Sequence, residues 1–144
     1  ELTLIAALAQ DDPPRAFPHE VRLVPHGSKD GDREVELLAE VPLDAIEIAS
    51  DATRGTYTAH LSFVAFIKDQ TGRPVVRLSQ DWPVEGKLDE AGRVSEASLV
   101  LRRVMSLPPG RYTVESALLD RKTGRISVVR TSADIAPPSS SGAR

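Results

Sequence analysis

Tyr57-Thr58-Ala59-His60-Leu61-Ser62-Phe63-Val64-Ala65-Phe66-Ile67 holds the longest run of apolar residues at every second position. A period of two marks an extended strand with one buried face, because successive side chains project to opposite sides. Tyr57, Ala59, Leu61, Phe63, Ala65 and Ile67 form the inward set. The same period recurs on both sides of this run. Before it, Val35, Leu37, Ala39, Val41 and Leu43 alternate with Glu34, Glu36, Leu38, Glu40 and Pro42, and Val21 to Val24 is a shorter candidate. After it come Val76, Leu78, Trp82 and Val84, with Gln80 as the break, and then Ala97, Leu99 and Leu101. Tyr112, Val114, Ser116 and Leu118 form the sixth run and Ile126 to Ile135 the last. The phase slips near Arg102 and Arg103, which predicts a bulge there. Seven strands with polar turns and no helical segment between them predict an all-β fold, an immunoglobulin- or fibronectin-III-like antiparallel β-sandwich.

Turn chemistry supports the count. Asp69-Gln70-Thr71-Gly72 and Asp120-Arg121-Lys122-Thr123-Gly124 each separate two strands. Asp can bond neighbouring backbone N–H groups there, and Gly supplies a positive φ. Both turns run on into Thr-Gly-Arg, an echo that shared hairpin chemistry explains better than a repeat does. Pro109-Gly110 matches the centre of a type II turn, and Tyr112 follows where immunoglobulin-like domains place their tyrosine corner. Pro74 and Pro83 bracket the Trp82 strand; because proline cannot donate to a ladder, this strand is expected at a sheet edge or interrupted there.

The ends read differently. Leu2, Ile5, Ala6, Leu8 and Ala9 have near-helical spacing, and Pro13 and Pro14 stop any helix, so residues 1–14 read as a short helix and linker. The competing reading, the end of a signal peptide at Ala7-Leu8-Ala9, lacks a basic segment before it. Glu1 reads as the start of an excised or processed piece. Residues 15–136 form the sandwich domain, and 137–144, rich in Pro, Ser and Gly, read as a tail.

Composition narrows the function. Eighteen Lys and Arg against 21 Asp and Glu give a net charge of -3, without the basic excess of a nucleic-acid binder. No stretch has the length to insert in a bilayer. There is no Cys, which removes disulfides, thiolate metal sites and Cys nucleophiles together. His19, His26 and His60 do not show a compact ligand spacing, so no metal site is expected. Asp30-Gly31-Asp32 lacks the later ligands of a calcium loop and reads as a turn. No nucleophile elbow and no phosphate loop occur. The chain is therefore expected to hold no catalytic residue and no cofactor.

Two places invite a binding role. Val64 and Phe66 stand on the outward face of the longest strand, where alternation calls for polar residues. Either the N-terminal helix or another strand covers them, or they form an interaction surface for a neighbouring domain. Trp82 shares the parity of Val76, Leu78 and Val84, which favours the core. A ligand platform built on Trp82 or Tyr57 is the alternative.

The order of these features resembles a known family. Ala7-Leu8-Ala9 with prolines, Val21-Arg22-Leu23, Asp69-Gln70-Thr71-Gly72-Arg73-Pro74-Val75, Leu107-Pro108-Pro109-Gly110-Arg111-Tyr112-Thr113-Val114 and Leu119-Asp120 through Thr123-Gly124-Arg125 look like the C-terminal β-sandwich region of VWFA-related bacterial proteins of the Acidobacteria type. The metal-binding Asp-x-Ser-x-Ser of the A-type domain is absent, so no metal function carries over. The resemblance implies a secreted or cell-envelope protein whose partners are neighbouring domains, including a VWFA-like one, or another protein. The expected function is a non-enzymatic structural or interaction module, and the alternative is a carbohydrate- or peptide-binding sandwich.

Overall fold

The structure is a computed structural model that describes residues 1–137. Apart from Pro137, the tail expected at 137–144 lies outside the described residues. Helix α1 spans Leu2–Leu8, and eight strands follow: β1 (Glu20–Lys29), β2 (Asp32–Pro42), β3 (Ala49–Asp51), β4 (Thr56–Asp69), β5 (Pro74–Lys87), β6 (Ser98–Leu107), β7 (Gly110–Asp120) and β8 (Arg125–Ile135). All pairings are antiparallel. One sheet has the order β1-β2-β6. In the other, β4 has β5 along one side and β7, followed by β8, along the opposite side, with the short β3 beside the start of β4 on the β7 side. Chain crossings between the sheets after β2, β5 and β6 produce an immunoglobulin-like sandwich.

The period-two residues of both sheets meet in one core. Val35, Leu37 and Val41 face Leu61, Phe63, Ile67, Val114 and Leu118, all nearly inaccessible to solvent. Burial of side chains this size contributes about 1.5–3 kcal/mol each relative to exposure, which is why the alternation sets the register.

The structure departs from the sequence reading in parts of its strands and turns. Strand β3 is additional: it has three residues, all exposed, so no apolar rhythm announces it. There is no bulge at Arg102 and Arg103, because β6 runs against β2 in unbroken register from Arg33 opposite Leu107 to Pro42 opposite Ser98. Irregularities fall instead between Pro25 and Ser28 and between Ile67 and Lys68. Gly110 has φ 157 and opens β7 opposite Ile135, so Pro109-Gly110 is not the centre of a type II turn.

The segment ahead of β1 adds to the larger sheet. Arg15 bridges to Ser127, the Ala16 N–H donates to the Ile126 carbonyl and the Val128 N–H to the Pro14 carbonyl. Residues 14–16 thus lie along the outer edge of β8. Other expectations match the coordinates. Among the described residues strand β5 pairs only with β4, the edge position that its two prolines allow. Asp30 and Gly31, with φ 55 and 86, form the two-residue turn between β1 and β2. Both adopt the positive φ of a type I′ hairpin. The Tyr112 hydroxyl donates to the Pro108 carbonyl at 2.5 Å, which closes the tyrosine corner.

Candidate functional site

Polar side chains gather on the outer face of the larger sheet, beside the start of α1. His60 and Ser62 point outward from β4 because Ala59, Leu61 and Phe63 point inward. In register, β5 places Asp81 opposite Ser62, and Asp81 Oδ1 lies 2.7 Å from His60 Nε2. Arg121, just past β7, donates its backbone N–H to the His60 carbonyl and its guanidinium to Ser62 Oγ at 3.2 Å. Glu1 closes the group from above. Its carboxylate accepts from Ser79 at 2.5 Å and pairs with Arg77. The Ser79 hydroxyl, followed by the Arg77 guanidinium, holds that carboxyl below its ordinary range. Glu1, His60, Ser62, Ser79, Asp81 and Arg121 line an open cleft of about 330 Å³.

Ser62, His60 and Asp81 have the residue types of a hydrolytic triad, but the geometry differs. Ser62 Oγ accepts from Arg121 and has no bond to His60. A nucleophile needs its base within hydrogen-bond reach. The arrangement instead pairs charges and dipoles on a sheet surface.

A second histidine is sealed inside. His19 is 1% exposed, with Nδ1 2.8 Å from Ser127 Oγ and Nε2 2.9 Å from Ser116 Oγ. Ser116 Oγ also reaches the Val129 carbonyl. A proton on Nε2 satisfies the whole chain: Ser127 donates to Nδ1, Nε2–H donates to Ser116, and Ser116 donates to Val129. Burial, with the nearby charge of Arg15 second, pushes the His19 imidazole down to about 4. Both serines are fully buried, so this trio ties the start of β1 to β7 and β8 and offers no surface to a substrate. Asp120 is likewise buried, its Oδ2 accepting from the Glu47 N–H at 2.8 Å and Oδ1 from the Lys122 N–H at 3.1 Å.

Neither inner network was legible in the sequence, because Ser116 and Ser127 stand 97 and 108 positions from His19. Two serines at inward parity on adjacent strands were the available signal.

The residues singled out for binding are distributed as follows. Val64 is 1% exposed beneath α1, in a second apolar cluster with Leu4, Ala7, Leu8, Ala117 and Val128. Phe66 is half-buried at the rim of that cluster, and the Arg77 guanidinium lies 5.9 Å from its ring centre. Trp82 is half-buried, opposite Leu61, and packs on the main core. Tyr57 is 2% exposed, which corrects its reading as a ligand platform. Its ring lies over Gly86, the directly opposed residue, where a side chain would collide with it. Burial, then the charge of Glu96, pushes its hydroxyl upward. The three histidines do not converge: His26 lies on the outer face of the smaller sheet beside Glu36 at 3.2 Å. Among the described residues no group of three or more His, Asp or Glu is placed to hold a metal ion.

Comparison with known proteins adds one result. No family model and no curated protein matches the chain. Among solved structures, a β-glucuronidase of glycoside hydrolase family 2 aligns with 80% of this chain at 11% identity and a TM-score of 0.50. The chain spans only 11% of that enzyme's length. A Bordetella pertussis protein carrying the ApaA designation aligns over 86% of this chain and 97% of its own, with 11% identity and a TM-score of 0.47. The likeness is one of fold. The β-glucuronidase shares a β-sandwich with this chain, and its chemistry is its own. No helix among the described residues is long and apolar enough to cross a membrane.

Proposed function

We propose that this chain is a non-catalytic immunoglobulin-like module of a larger exported bacterial protein, which spaces its neighbours or makes contact with another protein. The carrying observation is that its reactive side chains are occupied with one another. His60 bonds Asp81, Arg121 bonds Ser62, and His19 is enclosed between two serines. The resemblance to the region that follows an A-type domain in VWFA-related proteins supports the exported, multidomain setting. Binding of a carbohydrate by stacking is less well supported, because Tyr57 is buried and Trp82 half-buried against the core.

Chemical cross-linking of the full-length protein tests this reading. Links from Lys68, Lys87 or Lys122 to another domain or protein are expected. A protein whose cross-links never leave residues 1–144 would overturn it.

A further inference from the structure

We propose that the free edge of β6 accepts an extended acidic segment of another domain or protein, added as a fourth strand to the smaller sheet. The inference rests on the contact-module reading and names the surface and the partner's chemistry.

Unpaired edges invite pairing, and folded proteins blunt them with proline, bulges, brevity, cover or charge. Strand β1 carries Pro25 and an irregularity between Pro25 and Ser28. Strand β3 has three residues. Strand β5 carries Pro74 and Pro83, and β8 is flanked by residues 14–16. Strand β6 has only the last of these, Arg102 and Arg103, charges that deter a neutral or basic strand and leave an acidic one as the partner that fits. It is ten residues long, contains no proline, keeps unbroken register with β2 and pairs with no other strand among the described residues. It also holds two of the four exposed large apolar side chains of the described residues, Val100 at 41% and Val104 at 62%.

The topology leaves room for the addition. Strands β1, β2 and β6 correspond to A, B and E of an immunoglobulin sandwich, and constant-type domains pair a strand D beside E. Here the segment between β5 and β6 folds on itself through a Leu88–Val94 bridge instead.

Charge selects the partner. Arg102 and Arg103 sit at the middle of β6, one pointing to each face. Arg102 is 3.7 Å from Glu36, whereas Arg103 has no ion pair among the described residues and bonds only the neutral Gln80. A second copy is disfavoured. Full-length antiparallel pairing of two β6 strands about a two-fold axis centres on Arg102 or Arg103, and sets that guanidinium opposite its own mate. Carboxylates alternating with small apolar residues complement both the arginines and the valines. Backbone bonds would supply affinity and the alternate side chains selectivity.

The test is fluorescence anisotropy of chain 1–144 with two synthetic peptides, one of repeated Thr-Val-Thr-Glu and one with Lys for each Glu. The acidic peptide should bind at least about tenfold more tightly. Arg102→Glu with Arg103→Glu should reverse that preference, and Val104→Lys should weaken the acidic peptide while circular dichroism stays unchanged. If the double variant does not fold, Arg102→Gln must still narrow the preference. Equal affinities, no binding of either peptide, or a preference untouched by the arginine substitutions would overturn the proposal. So would self-association of the chain that Val104→Lys abolishes. Loss of peptide binding with interdomain cross-links retained would sink this inference alone.

Discussion

Arg103 on β6 donates to Gln80 Oε1 on β5 at 2.8 Å, so the two residues that break the apolar rhythm of their strands are partners across the open side of the sandwich. Each lies at inward parity on an edge, where a long polar side chain can leave the core and meet the other sheet. A double-mutant cycle with Gln80→Ala and Arg103→Ala should give a coupling of about 0.5–1.5 kcal/mol in urea unfolding. Additive losses would mean that the bond contributes nothing.

His19 makes stability depend on pH. Its folded value of about 4 lies below the ordinary 6.5, so between these values the unfolded chain binds more protons. Its contribution is complete above pH 6.5 and is lost as pH falls toward 4, by roughly 3 kcal/mol at most. Urea unfolding at pH 7 and pH 4.5 should show this loss, and His19→Gln should remove that part of the slope. An unchanged slope in the variant would refute it.

Gly86 is held by Tyr57 through shape rather than turn geometry, since a methyl group at Gly86 would enter the tyrosine ring. Gly86→Ala should cost about 1–3 kcal/mol. Adding Tyr57→Leu should make the glycine substitution nearly neutral, as read from paired urea curves.

Val64 and Phe66 should separate. Val64→Ser places a hydroxyl beneath α1 and should cost about 1–3 kcal/mol in the isolated chain. Phe66→Ser, at the half-buried rim, should cost less. Equal, negligible losses for both would argue that α1 does not occupy this face in solution.

Tyr112→Phe removes the hydroxyl donated to Pro108 and should cost about 1 kcal/mol by urea unfolding. An unchanged midpoint would show that water replaces the bond.

Much of this fold was legible because burial imposes a period of two on β2, β4 and β7, whose inward residues are nearly all inaccessible. Legibility failed where burial was incomplete. On β6, Arg103 kept its inward parity and looked like a slip, because its partner is 23 positions away. At β3 no side chain is buried at all. The His60 cluster was equally hidden, since only the register of β4 against β5 brings Asp81 to it. Val64 was visible as an anomaly, and the helix that explains it was visible too, but which sheet face the helix covers is a tertiary choice.

The attachment of α1 bears on how the chain responds to tension. Its far end is held by Arg130, whose guanidinium donates to the carbonyls of Leu8 at 2.6 Å and Gln10 at 3.2 Å. A pull at Glu1 would peel seven residues turn by turn against side-chain contacts, before any ladder between strands is sheared. Those residues lengthen from about 10 Å as a helix to about 24 Å when drawn out. Under such a pull the α1 segment would yield first, with the sandwich behind it still intact.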